Sequence, residues 1–136
     1  MKIKELKVFR LDIALKEAFT IAFKTYTHAH NCLVVLETDN GIKGYGESSP
    51  DKPITGDSQE EALTFMKAAA ERLRGHVLDV EEVHKTLLEL EKKMGLKSQT
   101  GKAAIDMACY DAIGKAEEKP IYRILGRGKP LEVPTT

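Results

Sequence analysis

The sequence predicts an α+β domain in which a three-stranded antiparallel sheet is followed by a bundle of three to four helices. Apolar and polar residues alternate with the period of a strand in the first part of the chain. An Asn-Gly pair separates two such runs. From residue 58 onward, apolar residues instead recur three and four positions apart between helix caps. Strands first and helices afterwards are typical of the α+β class.

The predicted strands occupy residues 6–47. The first runs from Leu6 to Ile13, with a change of phase near Phe9 that predicts a β-bulge. Residues 16–31 are polar with several aromatic side chains, and we expect a long loop there. The next two strands form a hairpin closed by Asn40-Gly41, for which we expect a type I′ turn, since that turn needs two positive φ angles.

Two of the predicted helices have clear end signals. Ser58 and Glu61 have the spacing of a capping box, and Gly75 ends the helix that they begin. Asp79 is placed to cap the next helix, and Gly95 ends it. Both segments carry apolar residues three and four positions apart, as an amphipathic helix does.

A third helix is predicted from about Thr100 to Glu118, and Pro120 then begins a short turn closed by Gly126. Alanine and glycine occur on several faces of this helix, which allows neighbouring elements to approach closely on more than one side. Two interpretations stay open. The helix is either the centre of one small core or a surface that packs on something outside this domain.

The composition excludes several classes of function. Lys+Arg and Asp+Glu both number 21, so the formal charge is zero, which argues against a partner recognised by bulk charge, such as nucleic acid. No apolar run approaches the roughly 20 residues of a membrane span, and the N-terminus lacks a signal-peptide core. Cys32 and Cys109 stand in apolar surroundings and are predicted to be buried free thiols of a cytoplasmic protein.

Catalytic patterns are scarce. His28 and His30 could begin a metal site, but no third ligand follows at a suitable spacing, so a polar loop is the better interpretation. We expect Asp106 to pair with Lys102 on the surface of its helix. His84 is expected to be solvated. The sequence supplies no set of nucleophile, base and orienting group.

Two connecting segments are better candidates for a binding site. Residues 19–26 place Phe19 and Tyr26 beside Lys24, and residues 49–57 lead from the sheet into the first long helix and carry Ile54. Long connections with exposed aromatic residues are where ligands usually bind. The ordinary alternative for a single lysine in such a segment is a solvated surface position without a ligand contact.

Several motifs resemble the enolase superfamily. They lie in the family's order and spacing, and the resemblance covers the whole chain. Within the superfamily the chain is most similar to the muconate-lactonising subgroup and its L-Ala-D/L-Glu dipeptide epimerases. The motifs are Gly44-Tyr-Gly-Glu-Ser-Ser-Pro50, Ile54-Thr-Gly-Asp-Ser58, Ala103-Ala-Ile-Asp-Met-Ala-Cys-Tyr-Asp-Ala-Ile-Gly-Lys-Ala116, Pro120-Ile-Tyr-Arg-Ile-Leu-Gly126 and Val133-Pro-Thr.

The resemblance implies a two-domain isomerase of which this chain is the capping part. Residues 1–130 would form the enolase N-terminal-like cap, and residues 131–136 would begin the first strand of a (β/α)-barrel that the chain lacks. In the family the barrel holds Mg²⁺ and two lysines that exchange the proton α to a carboxylate. No catalytic or metal-binding residue of the family can be assigned here, so we expect this chain alone to be inactive.

The family's specificity loops would correspond to roughly 16–30 and 48–57. Lys24 matches a position where related epimerases place a cation for an acidic substrate side chain, and Thr136 matches a substrate-contacting threonine. With Phe19, Tyr26 and Ile54 they form the predicted substrate-binding set. The expected partners are an acidic dipeptide or another small carboxylate, the barrel and further copies of the protein.

Alternatives to dipeptide epimerisation remain. A muconate cycloisomerase or an o-succinylbenzoate synthase would carry the same kind of cap. A stand-alone interaction module without catalysis belongs to a different class and would need no barrel.

Overall fold

The computed structural model describes residues 1–126, and they form an antiparallel sheet followed by helices. The strands are β1 (Ile3–Ile21), β2 (Lys24–Thr38) and β3 (Lys43–Ser48), in the spatial order β1-β2-β3. The predicted α+β class and three-stranded sheet are confirmed. The predicted beginning of a barrel strand at 131–136 lies outside the described residues.

The first two strands are much longer than predicted, and the expected loop over residues 16–31 is wrong. β1 and β2 continue as a two-stranded ribbon to Ile21 and Lys24, which are joined by a two-residue turn. The ribbon contains Phe19, Thr20, Thr25 and Tyr26, and β-branched and aromatic residues are the ones that favour strands. The polar character of this segment arises because both of its faces are largely exposed, not because the backbone is irregular.

Two details of the sheet also differ from the prediction. The pairing is regular at Phe9, and the register instead shifts between Ile3 and Glu5 and between Ala14 and Phe19. At the second hairpin, the amide of Gly41 donates to the carbonyl of Thr38 at 3.0 Å, and Gly41 has φ +83°. Asn40 does not have a positive φ, so the connection is not a type I′ turn.

Three long helices and two single turns follow the sheet within the described residues. The long helices are α2 (Gln59–Leu73), α3 (Val80–Met94) and α4 (Gln99–Glu117), and the single turns are α1 (Lys52–Thr55) and α5 (Ile121–Ile124). The capping box of Ser58 and Glu61 and the cap formed by Asp79 are confirmed. The turn at α5 ends before Gly126, as predicted.

The core lies between one face of the sheet and the helices. Its residues alternate along β2, where Cys32, Val34 and Leu36 are buried, and helix α2 adds Phe65 and Met66. Between successive buried residues of β2 lies one whose side chain points to the opposite, more exposed face of the sheet. Both cysteines are free and buried, which confirms the prediction of buried free thiols.

Helix α4 approaches β3 very closely. A Cβ atom built on Gly44 would lie 2.0 Å from the carbonyl oxygen of Ala108, and one built on Gly46 would lie 1.8 Å from that of Ala104. Any side chain at these two glycines would therefore overlap the helix backbone. Some of the alanines of α4 therefore pack against β3 inside this domain, as the central-helix interpretation requires.

His84 is exposed, as expected, but the predicted pairing of Asp106 with Lys102 is wrong. Asp106 bonds across to His84 of α3, with Oδ1 2.5 Å from Nε2, and not to Lys102. Lys102 pairs instead with Glu91. Residues on neighbouring helices compete for these partners, and helical spacing within α4 alone does not reveal that competition. No helix in the described part of the chain is long and apolar enough to cross a membrane.

Candidate substrate-side pocket

The tip of the β1–β2 ribbon forms one side of the candidate site. Phe19 pairs with Tyr26 and Ile21 pairs with Lys24, so these side chains lie within a few residues of the turn. Just before them, residues 15–18 of β1 lie opposite a single residue of β2, Thr27. Such a bulge bends a strand and increases its twist. The bulge therefore sets the direction in which the tip projects from the sheet.

The segment between β3 and α2 forms the other side. It contains α1, whose single turn begins after Asp51 and ends at Gly56, which has φ +86°. An aspartate in the cap position usually accepts a hydrogen bond from the helix backbone. The Asp51 side chain makes no such bond. Its carboxylate is directed to the ribbon tip instead.

Asp51, Lys24 and Tyr26 form a polar cluster that joins the two sides, and we call it the clasp. The Tyr26 hydroxyl donates to Oδ2 of Asp51, and Lys24 Nζ lies 3.4 Å from Oδ1. Lys24 Nζ also lies 4.3 Å from the centre of the Tyr26 ring, within the range of a cation–π contact. The hydrogen bond to the Asp51 carboxylate raises the pKa of Tyr26, so its hydroxyl stays a donor at neutral pH.

Between the two sides lies a cavity of about 300 Å³. Four of the five predicted substrate-binding residues line it, namely Phe19, Lys24, Tyr26 and Ile54. Thr136, the fifth, lies outside the described residues. The two segments singled out in the sequence therefore meet at one cavity, although 27 residues separate Lys24 from Asp51.

Much of the cavity wall is apolar and open to solvent. Phe19 is 61% exposed and Ile54 is 65% exposed, so both present apolar surface to a ligand in the cavity. The rings of Phe19 and Tyr26 lie 6.3 Å apart at a tilt of 32°. Such a wall can contact an apolar group, while the clasp at its edge offers charged and hydroxyl groups.

Asp57 anchors the segment that carries Ile54. Its side chain is fully buried and accepts hydrogen bonds from Thr55 Oγ1 at 2.6 Å, Ser98 Oγ at 2.7 Å and Thr100 Oγ1 at 2.7 Å. Burial would raise the pKa of Asp57, but the hydrogen bonds from Thr55, Ser98 and Thr100 outweigh it and hold the pKa below its usual value. The segment is thereby fixed to the start of α4.

Sequence reasoning missed Asp51 and Asp57. The sequence around Asp57, Thr-Gly-Asp-Ser-Gln-Glu, is mostly polar and gives no signal that this side chain is buried. Asp51 resembles an ordinary helix cap, and its sequence position does not reveal its contact with the ribbon. The roles of both residues depend on hydrogen bonds to residues far away in the sequence.

The two histidines of the ribbon are not arranged as metal ligands with a third group. Their rings stack with centres 6.0 Å apart, and His30 Nδ1 lies 2.8 Å from Asp12 Oδ1. Residues 1–126 contain no group of three or more His, Cys, Asp or Glu side chains placed to hold a metal ion. Burial raises the pKa of Cys32 to about 11 and that of Cys109 to about 12, so neither thiol is a ready nucleophile.

Comparison with known families decides what kind of domain this is. Residues 3–126 match the model of the mandelate racemase / muconate lactonizing enzyme N-terminal domain. The chain belongs to this family. The resemblance to the enolase superfamily is thereby confirmed, including its muconate-lactonising subgroup.

Relatives of this N-terminal domain are epimerases and racemases. It is 37% identical to the hydrophobic dipeptide epimerase of Enterococcus faecalis, over 93% of this chain and 35% of that protein. It is 31% identical to the N-succinyl-L-Arg/Lys racemase of Bacillus cereus, over 100% of this chain and 36% of that protein. The chain therefore spans about a third of the length of these relatives.

A solved structure agrees in fold. The dipeptide epimerase of Enterococcus faecalis V583, in complex with Mg and the dipeptide L-Leu-L-Tyr, superposes with a TM-score of 0.83 and 36% identity. The match covers 92% of this chain and 34% of that one. The matched residues correspond to the N-terminal domain of the family.

Proposed function

We propose that this chain is the substrate-capping domain of a dipeptide epimerase. The observation that carries the proposal is the cavity of about 300 Å³ between the ribbon tip and the Asp51 segment. Its wall combines exposed apolar side chains with the clasp, which suits a small amphipathic ligand such as a dipeptide. The dipeptide epimerase among the relatives supports the same substrate class.

The reaction of the parent protein would be a 1,1-proton transfer at the carbon α to a carboxylate. Its bases would come from the barrel, because the described cap residues offer no such set. The cap would bind the side of the substrate remote from the reacting carbon and shield the site from water. Shielding strengthens the electrostatic interactions within a site, and remote contacts position the substrate.

Magnesium would also belong to the barrel. Residues 1–126 hold no cluster that fits a divalent cation, so the roles proposed for these described residues do not depend on the metal. The cap boundary at 1–130, the barrel strand at 131–136, the substrate contact of Thr136 and the cytoplasmic location stay predictions. So does the acidic dipeptide, which Lys24 and the resemblance to L-Ala-D/L-Glu epimerases motivate.

A racemase acting on N-succinylated amino acids is the second candidate, because the match to such an enzyme extends over all of this chain. It would use the same proton transfer and a cap of the same fold. Muconate cycloisomerase and o-succinylbenzoate synthase remain further alternatives within the superfamily. A stand-alone module is the alternative outside it.

Association with further copies is a separate proposal. On the sheet face opposite the helices, Phe9, Ile13 and Tyr45 are 47%, 45% and 49% exposed. Their pairing partners are Leu33, Ala29 and Val35, which places all three on one face. A shared apolar face of this kind is often covered in an assembly. Light scattering over a range of protein concentrations would test it.

The proposed function is tested with the protein that joins this chain to its barrel. We expect deuterium to enter the α position of L,L-dipeptides in deuterated water, with slower exchange into N-succinyl-L-lysine. The isolated chain should give background exchange only. Faster exchange of the N-succinyl compound would favour the second candidate, and no exchange with any substrate would contradict both.

Variants connect the activity to the cavity. Phe19→Ala and Ile54→Ala should each lower kcat/KM for an apolar dipeptide by roughly tenfold, because each removes exposed apolar surface from the wall. Leu88→Ala is the matched control. Leu88 is 52% exposed on α3 and does not line this cavity. Equal effects at all three positions would contradict a role of the cavity in substrate binding.

A further inference from the structure

The substrate side chain that the cavity accepts depends on the charge that Lys24 presents. A lone cation at the edge of the cavity would attract an acidic side chain, as the sequence alone predicts. In the structure Lys24 is not alone. Its Nζ lies 3.4 Å from Asp51 Oδ1, and the Asp51 side chain is only 18% exposed. The two opposite charges share one edge of the cavity and sum to zero.

Asp51 is held in this position from two directions. Tyr26 donates a hydrogen bond to its second carboxylate oxygen, so each oxygen has one donor. The backbone amide of Asp51 donates to Thr55 Oγ1 at 2.9 Å, and its carbonyl accepts from the amides of Ile54 and Thr55 at 2.8 and 2.7 Å. The carboxylate is therefore fixed beside Lys24 by the turn that it begins.

An incoming carboxylate would compete with Asp51 for Lys24, and an incoming cation would compete with Lys24 for Asp51. Each would leave one member of the existing pair without its partner in a partly enclosed site, which is unfavourable. An uncharged apolar side chain disturbs neither. It would also contact Phe19, Ile21 and Ile54 along the wall.

We infer that Asp51 is a specificity-determining residue that neutralises Lys24 and so selects dipeptides with an uncharged, apolar side chain at the capped position. This inference rests on the proposed function and names the substrate class of the same site. It also makes the clasp a pair of opposed charges, so removal of either member exposes the other. Removal of Asp51 should shift the preference towards acidic side chains, and removal of Lys24 should shift it towards cationic side chains.

The test uses the protein that joins this chain to its barrel, with three substrates that differ only in the second residue: L-Ala-L-Leu, L-Ala-L-Glu and L-Ala-L-Lys. The parent should prefer the leucine dipeptide. The measured quantity is the ratio of kcat/KM values between substrates.

Asp51→Asn keeps the shape of the side chain and an acceptor for Tyr26, but it leaves Lys24 uncompensated. It should raise the ratio of the glutamate to the leucine dipeptide by roughly tenfold or more. Lys24→Gln leaves Asp51 uncompensated and should raise the ratio of the lysine to the leucine dipeptide by a similar factor. The double variant, without either charge, should return both ratios toward the parent values.

Lys52→Gln is the control for a general change of charge. Lys52 lies next to Asp51 in sequence but pairs with Glu61, and it does not line the cavity. Its removal should leave both ratios within about twofold, as expected for a screened surface charge. If Asp51→Asn does not fold, Lys24→Gln alone decides the question through the ratio of the lysine to the leucine dipeptide.

The outcomes separate the two proposals. A parent that exchanges dipeptides but prefers L-Ala-L-Glu, or whose ratios do not respond to either variant, overturns the inference and leaves the proposed function intact. A parent that exchanges no dipeptide overturns both. Opposite changes in the two single variants, with reversal in the double variant, support the role of Asp51.

Discussion

The contact between β3 and α4 and the clasp at the ribbon tip differ in what holds them together. At the first, Gly44 and Gly46 bring a strand against the backbone of a helix, and the contact is buried. At the second, partly exposed side chains join two segments through a few polar bonds. The comparison indicates that the fold depends on the first region and that the ligand specificity can vary in the second.

The largest expected effect comes from filling the β3–α4 contact. In Gly46→Ala the new Cβ would lie 1.8 Å from the Ala104 carbonyl oxygen, so the strand and the helix must separate. We expect a loss of about 3 kcal/mol or more in the free energy of unfolding, at the upper end of overpacking effects. Urea unfolding followed by circular dichroism measures it.

Gly41→Ala is the matched control for this substitution. Gly41 has φ +83° and nothing within 4 Å of a built Cβ, so alanine there has room but an unfavourable backbone conformation. That conformation should cost about 1 kcal/mol. If the two variants were destabilised equally, close approach would not be the reason for glycine at position 46.

The second prediction concerns the link between the two regions. Asp57→Ala removes the buried acceptor of the Thr55, Ser98 and Thr100 hydroxyls, and should reduce the free energy of unfolding by about 2–3 kcal/mol. Asp79→Ala removes only an exposed helix cap and should cost about 1 kcal/mol. Thermal unfolding of both variants checks the order, and a reversed order would contradict it.

The third prediction is a dependence on pH. Hydrogen bonds from Lys52 and from the Ser58 backbone lower the pKa of Glu61 to about 2. A group whose pKa is lowered on folding stabilises the protein above its unfolded pKa, which is about 4.3 for glutamate. This stabilisation should be lost as the pH falls from about 5 to about 2. Asp57, whose pKa is also lowered, should contribute in the same direction.

Glu61→Gln isolates the share of Glu61. The variant should be less stable than the parent at pH 7, and the difference should shrink as the pH falls, because the parent loses the same interaction by protonation. Unfolding in urea at several pH values between 2 and 7 measures the difference. A difference that does not change with pH would assign the effect to helix propensity or packing.

Much of the helical part could be predicted from sequence because its signals are local. The capping box at Ser58, the cap at Asp79 and the glycine at position 95 each act on residues within one turn. The long ribbon could not be predicted in the same way. None of its residues 16–31 is buried in the core, and their strand conformation depends on pairing with each other across the turn.

The same difference between local signals and long-range contacts applies to the candidate site. Exposed aromatic residues in a connecting segment identified Phe19 and Tyr26, and the resemblance identified Lys24. Asp51 was missed, because its role depends on a contact across 27 residues and replaces the capping bond that its position predicts. The residue that changes the expected specificity is therefore the one that local reasoning assigns to structure.

The smallest expected effect returns to the clasp. If the ribbon tip contributes little to the fold, Lys24→Gln and Asp51→Asn should each change the free energy of unfolding by less than about 1 kcal/mol, as exposed ion pairs usually do. Lys24 is 45% exposed, although Asp51 is 18% exposed, whereas both Lys102 and Glu91 in the α3–α4 pair are little exposed, at 18% and 21%. Lys102→Gln is therefore the matched substitution in a helix contact and should reduce the free energy of unfolding by more.

Urea unfolding ranks the three variants, and amide hydrogen exchange should be fast at residues 19–26 and slow in β3. A loss above about 2 kcal/mol in either clasp variant would mean that the tip helps to hold the fold, and the contrast between the two regions would fail.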